Sequence, residues 1–395
     1  MCKRSGILAL FLFLSFSLFS GVAFAQLFNV KVDYAAGSNA YSVYCADLDG
    51  DLDMDLAVAN YLGTSVSILK NNGDGTFQTK VNYTVGTLPT SVFCADLDGD
   101  LDMDLAVANV TSNTVSILKN NGDGTFQTKV DYATGAGARS VFCADLDGDI
   151  DLDLAVANFS GTSVSILKNN GDGTFLAKTD YTAGSGPRVI YCADLDGDID
   201  LDLAVANSGT NNVSILKNNG DGTFQTKVDY AAGTGARSVF CADLDGDLDK
   251  DLAVANYGAS TVSFFENNGD GTFQASVNYS TGNAPASVYC VDLDDDDDLD
   301  LAVANFTGSS VSILRNNGDG TFQAKDDYEA GSGAMSVFGT DLDGDSHIDL
   351  AVANQNANNV SIFLNATTYV EEGPDHTMAT SFLLRQNYPN PFNPV

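Results

Sequence analysis

Five aspartates alternate with other residues through nine positions at Asp47, Asp49, Asp51, Asp53 and Asp55, and the same pattern returns every 49 residues. Its later copies are Asp96, Asp98, Asp100, Asp102 and Asp104; Asp145, Asp147, Asp149, Asp151 and Asp153; and Asp194, Asp196, Asp198, Asp200 and Asp202. Three more follow: Asp243, Asp245, Asp247, Asp249 and Asp251; Asp292, Asp294, Asp296, Asp298 and Asp300; and Asp341, Asp343, Asp345, His347 and Asp349. Carboxylates at positions 1, 3, 5, 7 and 9 of a loop offer what a hard cation requires, since calcium takes roughly six to eight oxygens on a flexible backbone. Several carboxylates in one turn repel one another unless a cation sits among them. A single D-x-D-x-D is ordinarily a solvated acidic turn, but seven copies in register point to calcium, up to seven ions with one in each repeat.

The elements that carry these loops follow from the repeat itself. A spacing that neither gains nor loses a residue means one supersecondary unit per copy, stacked in register. In the first copy, Ser42 to Ala46 and Leu56 to Asn60 are almost wholly small or apolar, the pattern of strands covered on both faces. Ser65 to Leu69 is similar, whereas Phe77 to Tyr83 alternates apolar and polar residues and reads as a half-exposed outer strand. Asn72-Gly73-Asp74-Gly75 between the last two strands supplies residues that accept the positive φ of tight hairpin turns. Helical periodicity is absent from the repeat.

Four antiparallel strands per 49-residue unit make a propeller blade, and the chain ends test that reading. Phe28 to Tyr34 copies the outer strand alone, while the seventh unit stops at Leu364 without one. The sequence therefore predicts an all-β fold, a seven-bladed β-propeller of four-stranded blades closed by the N-terminal strand joining the last blade. Closure removes the need for the polar capping repeats of an open solenoid and leaves no inner edge unpaired.

Lys3 and Arg4 precede an apolar run from Ile7 to Phe19 and then Ala23-Phe24-Ala25, so residues 1–25 read as a signal peptide and 26–366 as the propeller. No segment is long enough to span a bilayer as an apolar helix. Of the 53 acidic residues 36 lie in the seven loops, so the net charge of −35 is mainly site charge. No nucleic-acid partner is expected of such a chain, and a ring closed on itself needs no partner copy. Cys45, Cys94, Cys143, Cys192, Cys241 and Cys290 hold one equivalent site, with Gly339 in the seventh place. Equivalent sites on neighbouring blades lie too far apart for disulfides, and without C-x-x-C spacing the thiols read as small buried hydrophobes.

Position 12 of the first acidic loop is Val58, inside a strand, which excludes an EF-hand. The Gly-Gly-x-Gly of parallel β-helices is missing too. DLDGDLDMDLAVAN and NNGDGTF instead resemble the FG-GAP and VCBS repeats that build the integrin α-chain propeller, over residues 28–366. The resemblance implies that side chains at positions 1, 3, 5 and 9 and the carbonyl at position 7 hold the ion, that is Asp47, Asp49, Asp51 and Asp55 with the backbone of Asp53. His347 at position 7 of the last loop fits a carbonyl ligand. Position 6, usually glycine in that family, is Leu52, Leu101, Ile150, Ile199, Leu248, Asp297 or Ser346 here. Asp295 replaces glycine at position 4 of the sixth loop and Lys250 stands at position 8 of the fifth, marking these as the weakest sites. With a dissociation constant near 10⁻⁴ M and ~2 mM calcium, each site would stabilise the fold by roughly 1.8 kcal/mol, about 12 for seven, comparable with the whole stability of a domain.

Binding surfaces are expected where the copies differ, at the end of the blades away from the acidic loops. The residue after LAVAN varies, and the site equivalent to Tyr41 and Thr90 carries Arg139, Arg188 and Arg237 in three successive units, a basic arc on an acidic ring. Aromatics and arginines suit carbohydrate or anionic-polymer recognition, against the alternative that they cap the core and sit in solvated loops. A catalytic constellation is missing, with only His347 and His376, no tryptophan and no nucleophile elbow, so an enzyme is not expected. The reading is a secreted or cell-surface calcium-binding propeller for adhesion or carbohydrate binding, its partner a polysaccharide or extracellular protein. A spacer or surface-layer role, or a propeller-scaffold enzyme acting on polysaccharide, is the alternative. Residues 367–381 have linker composition, and FLLRQNYPNPFNPV at 382–395 resembles the opening of a type IX secretion C-terminal sorting domain.

Overall fold

The computed structural model describes residues 27–366. The expected leader, the linker and the sorting segment lie outside the described residues. Seven four-stranded antiparallel sheets follow one another around a ring. In the first blade the strands are Ala40–Ala46, Asp55–Asn60, Ser65–Leu69 and Val81–Thr84, from the axis outward. The outer strand is shorter than the alternation of Phe77 to Tyr83 suggests. Phe77 makes only a single bridge to Asn71, and Val81 is 55% exposed.

The seventh blade closes as the chain ends require. Val32–Ala35 pairs antiparallel with Asn359–Phe363, Val32 facing Ile362 and Ala35 facing Asn359, and so becomes the outer strand of Ala334–Thr340 and Asp349–Asn354. The first and last strands of the ring are thereby hydrogen-bonded to each other, and the inner edges face only the central channel.

LAVAN is legible as an interblade joint. Leu56 and Val58 pack toward the seventh blade against Ala351 and Ala353, while Ala57 and Ala59 face Leu105 and Val107 of the second. Large side chains meet small ones at each junction, which is how two sheet faces interlock without voids. The core is thus seven equivalent interblade clusters rather than one central mass, and the second strand of every blade is buried throughout. The six cysteines are free and buried among these clusters. Gly339 replaces the seventh because Val291 on the neighbouring blade fills its space, a Cβ there meeting Val291 Cγ1 at 3.0 Å.

Each inner strand contributes one aromatic side chain at the same level of the channel. Tyr44, Phe93, Phe142, Tyr191, Phe240, Tyr289 and Phe338 form an unbroken ring with successive centroids 4.6–4.9 Å apart. Three residues beyond this aromatic iris each strand enters its acidic loop, so the iris lies toward the acidic face. Among the described residues there is no helix, and none could cross a membrane.

Candidate metal loops and channel mouth

The acidic loop joins the first two strands of each blade. Asp47 fixes its turn, Oδ1 accepting from the Gly50 amide at 2.8 Å and Oδ2 from the Leu52 amide at 3.0 Å. Asp55, at the start of the second strand, is fully buried and accepts from the Asn71 amide at 2.7 Å and the Leu48 amide at 3.2 Å. Asp47, Asp49 and Asp55 bring one oxygen each within 4.8 Å of one another, and the equivalent trios form in the next four loops. Asp51 accepts from the Asp53 amide at 3.0 Å. The Asp53 carboxylate lies against the neighbouring hairpin, where a Cβ on Gly73 would meet its Oδ2 at 2.6 Å.

The donor set fits a hard cation. Asp49 Oδ1 is buried without a hydrogen-bond partner, and so are the same atoms of Asp98, Asp147, Asp196 and Asp294. A buried acceptor with no donor is costly unless a cation completes it. Burial pushes the Asp55 carboxyl up to about 7, and the charges of Asp49 and Asp51 add to this against the two amide hydrogen bonds. Asp104, Asp153, Asp202, Asp251, Asp300 and Asp349 are raised to about 7 as well, with burial the largest cause in each.

Each loop is also wired to its neighbour. Asn71, whose amide serves Asp55, donates its side chain to Met54 O at 3.1 Å and to Leu342 O of the adjoining blade at 2.8 Å. Asn120 reaches Leu48 O in the same way, and Asn365 closes the series on Leu293 O at 2.8 Å. Lys70 reinforces the joint, contacting Asp49 Oδ2 at 2.9 Å and the Asp123 carbonyl of the next blade at 2.5 Å.

The departures from the repeat are resolved locally. Position 6 takes positive φ in all seven loops, 74° at Leu52 and Leu101, 81° at Ile150 and Ile199, 79° at Leu248, 70° at Asp297 and 75° at Ser346. The bend that glycine eases is therefore made by strained residues, the two isoleucines most of all. Lys250 still offers its backbone carbonyl to Asn267 at 2.9 Å, as the other blades do, and its loop retains the Asp243, Asp245 and Asp251 trio. In the sixth loop the turn donor to Asp292 Oδ1 is the Asp296 amide at 3.3 Å, and Asp295 turns outward to His347 Nδ1 of the seventh loop at 2.8 Å. The two irregular residues thus contact each other across one blade junction.

At the opposite end, the expected basic arc is instead a cluster on the ring axis. Each inner strand carries a β-bulge, between Ala40 and Ser42 in the first blade and at the same place in the other six. The extra residue is Tyr41, Thr90, Arg139, Arg188, Arg237, Ala286 or Met335, and a bulge re-aims the side chain it inserts. Tyr41, Arg139, Arg188, Arg237 and Met335 all line one cavity at the channel mouth. Arg139 Nη2 and Arg237 Nη2 both donate to Tyr41 Oη, the latter at 3.1 Å. Phe159 lies between Arg139 and Arg188, whose guanidinium carbons are 4.8 and 4.7 Å from its centroid, and Arg237 stacks 4.6 Å over Tyr257. Burial alone would raise the Tyr41 phenol, but the charges of Arg237, Arg139 and Arg188 and the Arg237 hydrogen bond bring it down to about 8. Burial, with Arg237 and Arg139 nearby, lowers Arg188 to about 10. The arginine column was visible in the sequence; its convergence was not, because a bulge one residue into a strand has no signal there.

The FG-GAP-like repeat profile matches this chain six times in overlapping windows, at residues 47–107, 96–156, 145–205, 194–254, 243–303 and 292–352. The chain belongs to the FG-GAP-like repeat family. Each window runs from one acidic loop through the next, so the family signature is the loop with the strands around it. No curated protein matches. Solved structures share the fold at low identity. BBS1N in complex with ARL6DN aligns with a TM-score of 0.62 at 16% identity, over 87% of this chain and 97% of that one. A lectin of Agrocybe aegerita that recognises non-reducing terminal N-acetylglucosamine aligns at 0.56 and 22%, over 81% and 87%. Virginiamycin B lyase of Staphylococcus aureus aligns at 0.60 and 11%, over 85% and 98%. FG-GAP repeats on a propeller fit a structural or binding role, while the neighbouring structures include both a lectin and enzymes.

Proposed function

We propose that this FG-GAP propeller is a secreted or cell-surface binding module, stiffened by calcium at its acidic loops, that takes a polysaccharide or extracellular protein at the open mouth of its channel. Positions 1, 3, 5 and 9 of each loop and the position 7 carbonyl would hold the ion, whose positive charge offsets the crowded carboxylates. Asp55 and its equivalents then tie the filled loop through Asn71 and its equivalents to the adjoining blade. The basic, apolar leader of residues 1–25 supports export, and the C-terminal QNYPNPFNP string supports the type IX route.

The observation that carries the binding reading is the asymmetry of the ring. Seven loops on one face repeat almost unchanged, while the bulge residues on the other differ from blade to blade and bring aromatic and basic side chains to the axis. Such residues dominate recognition surfaces. Binding is favoured over catalysis because His347 sits at the acidic loops, away from the cavity, and no nucleophile–base pair lines the mouth. The test is a glycan and matrix-protein array probed with the full chain in calcium and again in chelator. Calcium-dependent capture by a defined ligand is expected; a folded ring that captures nothing would leave a spacer role instead.

A further inference from the structure

The mouth of the central channel, a cavity of ≈ 210 Å³, carries Arg139, Arg188 and Arg237 with Tyr61, Tyr257, Phe306 and Gln355, and the aromatic iris lies deeper along the axis. Between them runs a band of serines, of which Ser91 Oγ accepts from the Val141 amide at 3.3 Å and Ser238 Oγ from the Val288 amide at 3.3 Å.

The guanidiniums have only neutral partners. Among the described residues their hydrogen bonds go to Tyr41 Oη, to Ser208 Oγ at 3.0 Å and to Met335 Sδ at 2.9 Å, and no carboxylate pairs with any of the three. Arg237 is only 9% exposed. In a chain of net charge −35, every other interblade cation reaching an acidic loop finds an aspartate, so three converging cations without an anion stand apart. Like charges held together at partly buried sites are unfavourable until an anion joins them.

We propose that this mouth cavity binds an acidic sugar, a pyranose carrying a carboxylate. The inference rests on the binding-module reading and names its ligand class. Planar guanidinium forks match a carboxylate in two-point contact. Gln355 suits ring hydroxyls, and the Tyr61, Tyr257 and Phe306 rings that line the same cavity suit the apolar C–H face of the sugar. The volume of the cavity suits one sugar ring rather than a larger ligand.

Calorimetric titration of the full chain in 2 mM calcium with D-glucuronate, D-glucose and sulfate tests the proposal. Glucuronate is expected to bind at least tenfold more tightly than glucose or sulfate. The triple variant Arg139→Met, Arg188→Met, Arg237→Met should lose at least tenfold toward glucuronate at an unchanged melting temperature. If that variant fails to fold, Arg188→Gln, which disturbs only Phe159 and Ser208, should still lose about threefold or more. Equal binding of glucose, equal binding of sulfate, or unaltered affinity in a folded variant would overturn the assignment. On the array, a neutral glycan or protein captured by the wild type and lost in the variant would refute the acidic sugar while sparing the binding module; capture of nothing would refute both.

Discussion

The two faces of the ring handle charge in opposite ways. On the acidic face four to seven carboxylates crowd each loop, a buried oxygen at position 3 has no donor in five of them, and the backbone at position 6 is strained. At the channel mouth two guanidiniums donate to one phenol and a third, on Ser208, lines the same cavity, with no carboxylate among them. On the acidic face a lysine or Arg315 pairs with one carboxylate in five of the loops, whereas at the mouth no carboxylate pairs with a guanidinium. The loops repeat seven times and are wired into the blade joints, so we read their charge as a matter of stability. The mouth occurs once and contacts no blade joint of that kind, so we read its charge as a matter of recognition.

The largest effect that separates the faces is expected from pH. Asp55 and its six equivalents have folded values near 7, above the unfolded value of about 3.9. The folded ring therefore holds more protons than the unfolded chain between these values, so its stability without calcium is greatest below about 4 and falls as pH rises toward 7. In chelator the melting temperature should drop by about 10 °C or more from pH 5 to pH 7.5, and saturating calcium should flatten the slope. A flat profile in chelator would show that the seven carboxylates are not strained by burial.

Next in size is the blade joint. Asn71→Ala removes the bond to Leu342 O and leaves that buried carbonyl short of a donor, a loss of about 1–3 kcal/mol in denaturant unfolding. Thr87→Ala, on the mouth side, removes an exposed side chain while its amide bond to Ser112 Oγ and its carbonyl bond from the Thr111 amide remain, and should stay within about 0.5 kcal/mol. Equal costs would erase the proposed division of labour.

A smaller gain is expected at the strained loops. Ile150 and Ile199 hold φ of 81° with side chains 86% exposed, so no packing offsets the strain. Left-handed backbone costs a non-glycine residue roughly 1–2 kcal/mol, and glycine returns part of that as unfolded-state entropy. Ile150→Gly and Ile199→Gly should each stabilise by about 0.5–1 kcal/mol, read as a higher melting temperature; a loss would mean that these side chains have a partner on the acidic face.

The smallest effect belongs to Tyr41. Its folded value near 8 lies below the unfolded value of about 10, so its favourable contribution is complete above pH 10 and is lost as pH falls through 8. Absorbance at 295 nm should show one phenol titrating near 8, absent from Tyr41→Phe. Its persistence in that variant would assign the transition elsewhere.

How much of this was legible in the sequence depends on whether repetition carried the signal. The blades, the closing strand, the buried thiols and the column of carboxylates all recur every 49 residues, so small errors at one copy are corrected by the others. The shortened outer strand was not legible, because Phe77 keeps the apolar pattern while making one bridge only. Nor was the pairing of Asp295 with His347, since two exceptions in different repeats reveal their contact only when neighbouring loops are placed side by side. The mouth was hidden for a third reason. Arg139, Arg188 and Arg237 lie 49 residues apart, and only the bulge and the ring closure bring them into one cavity with Tyr41.

Calorimetric melting of the full chain at pH 7.5, in 2 mM calcium and in excess chelator, tests most directly whether the acidic face is structural. The account predicts a large fall in melting temperature on chelation, of about 20 °C or more, reversed by calcium but not by an equal concentration of sodium. A melting temperature that does not move on chelation would contradict it.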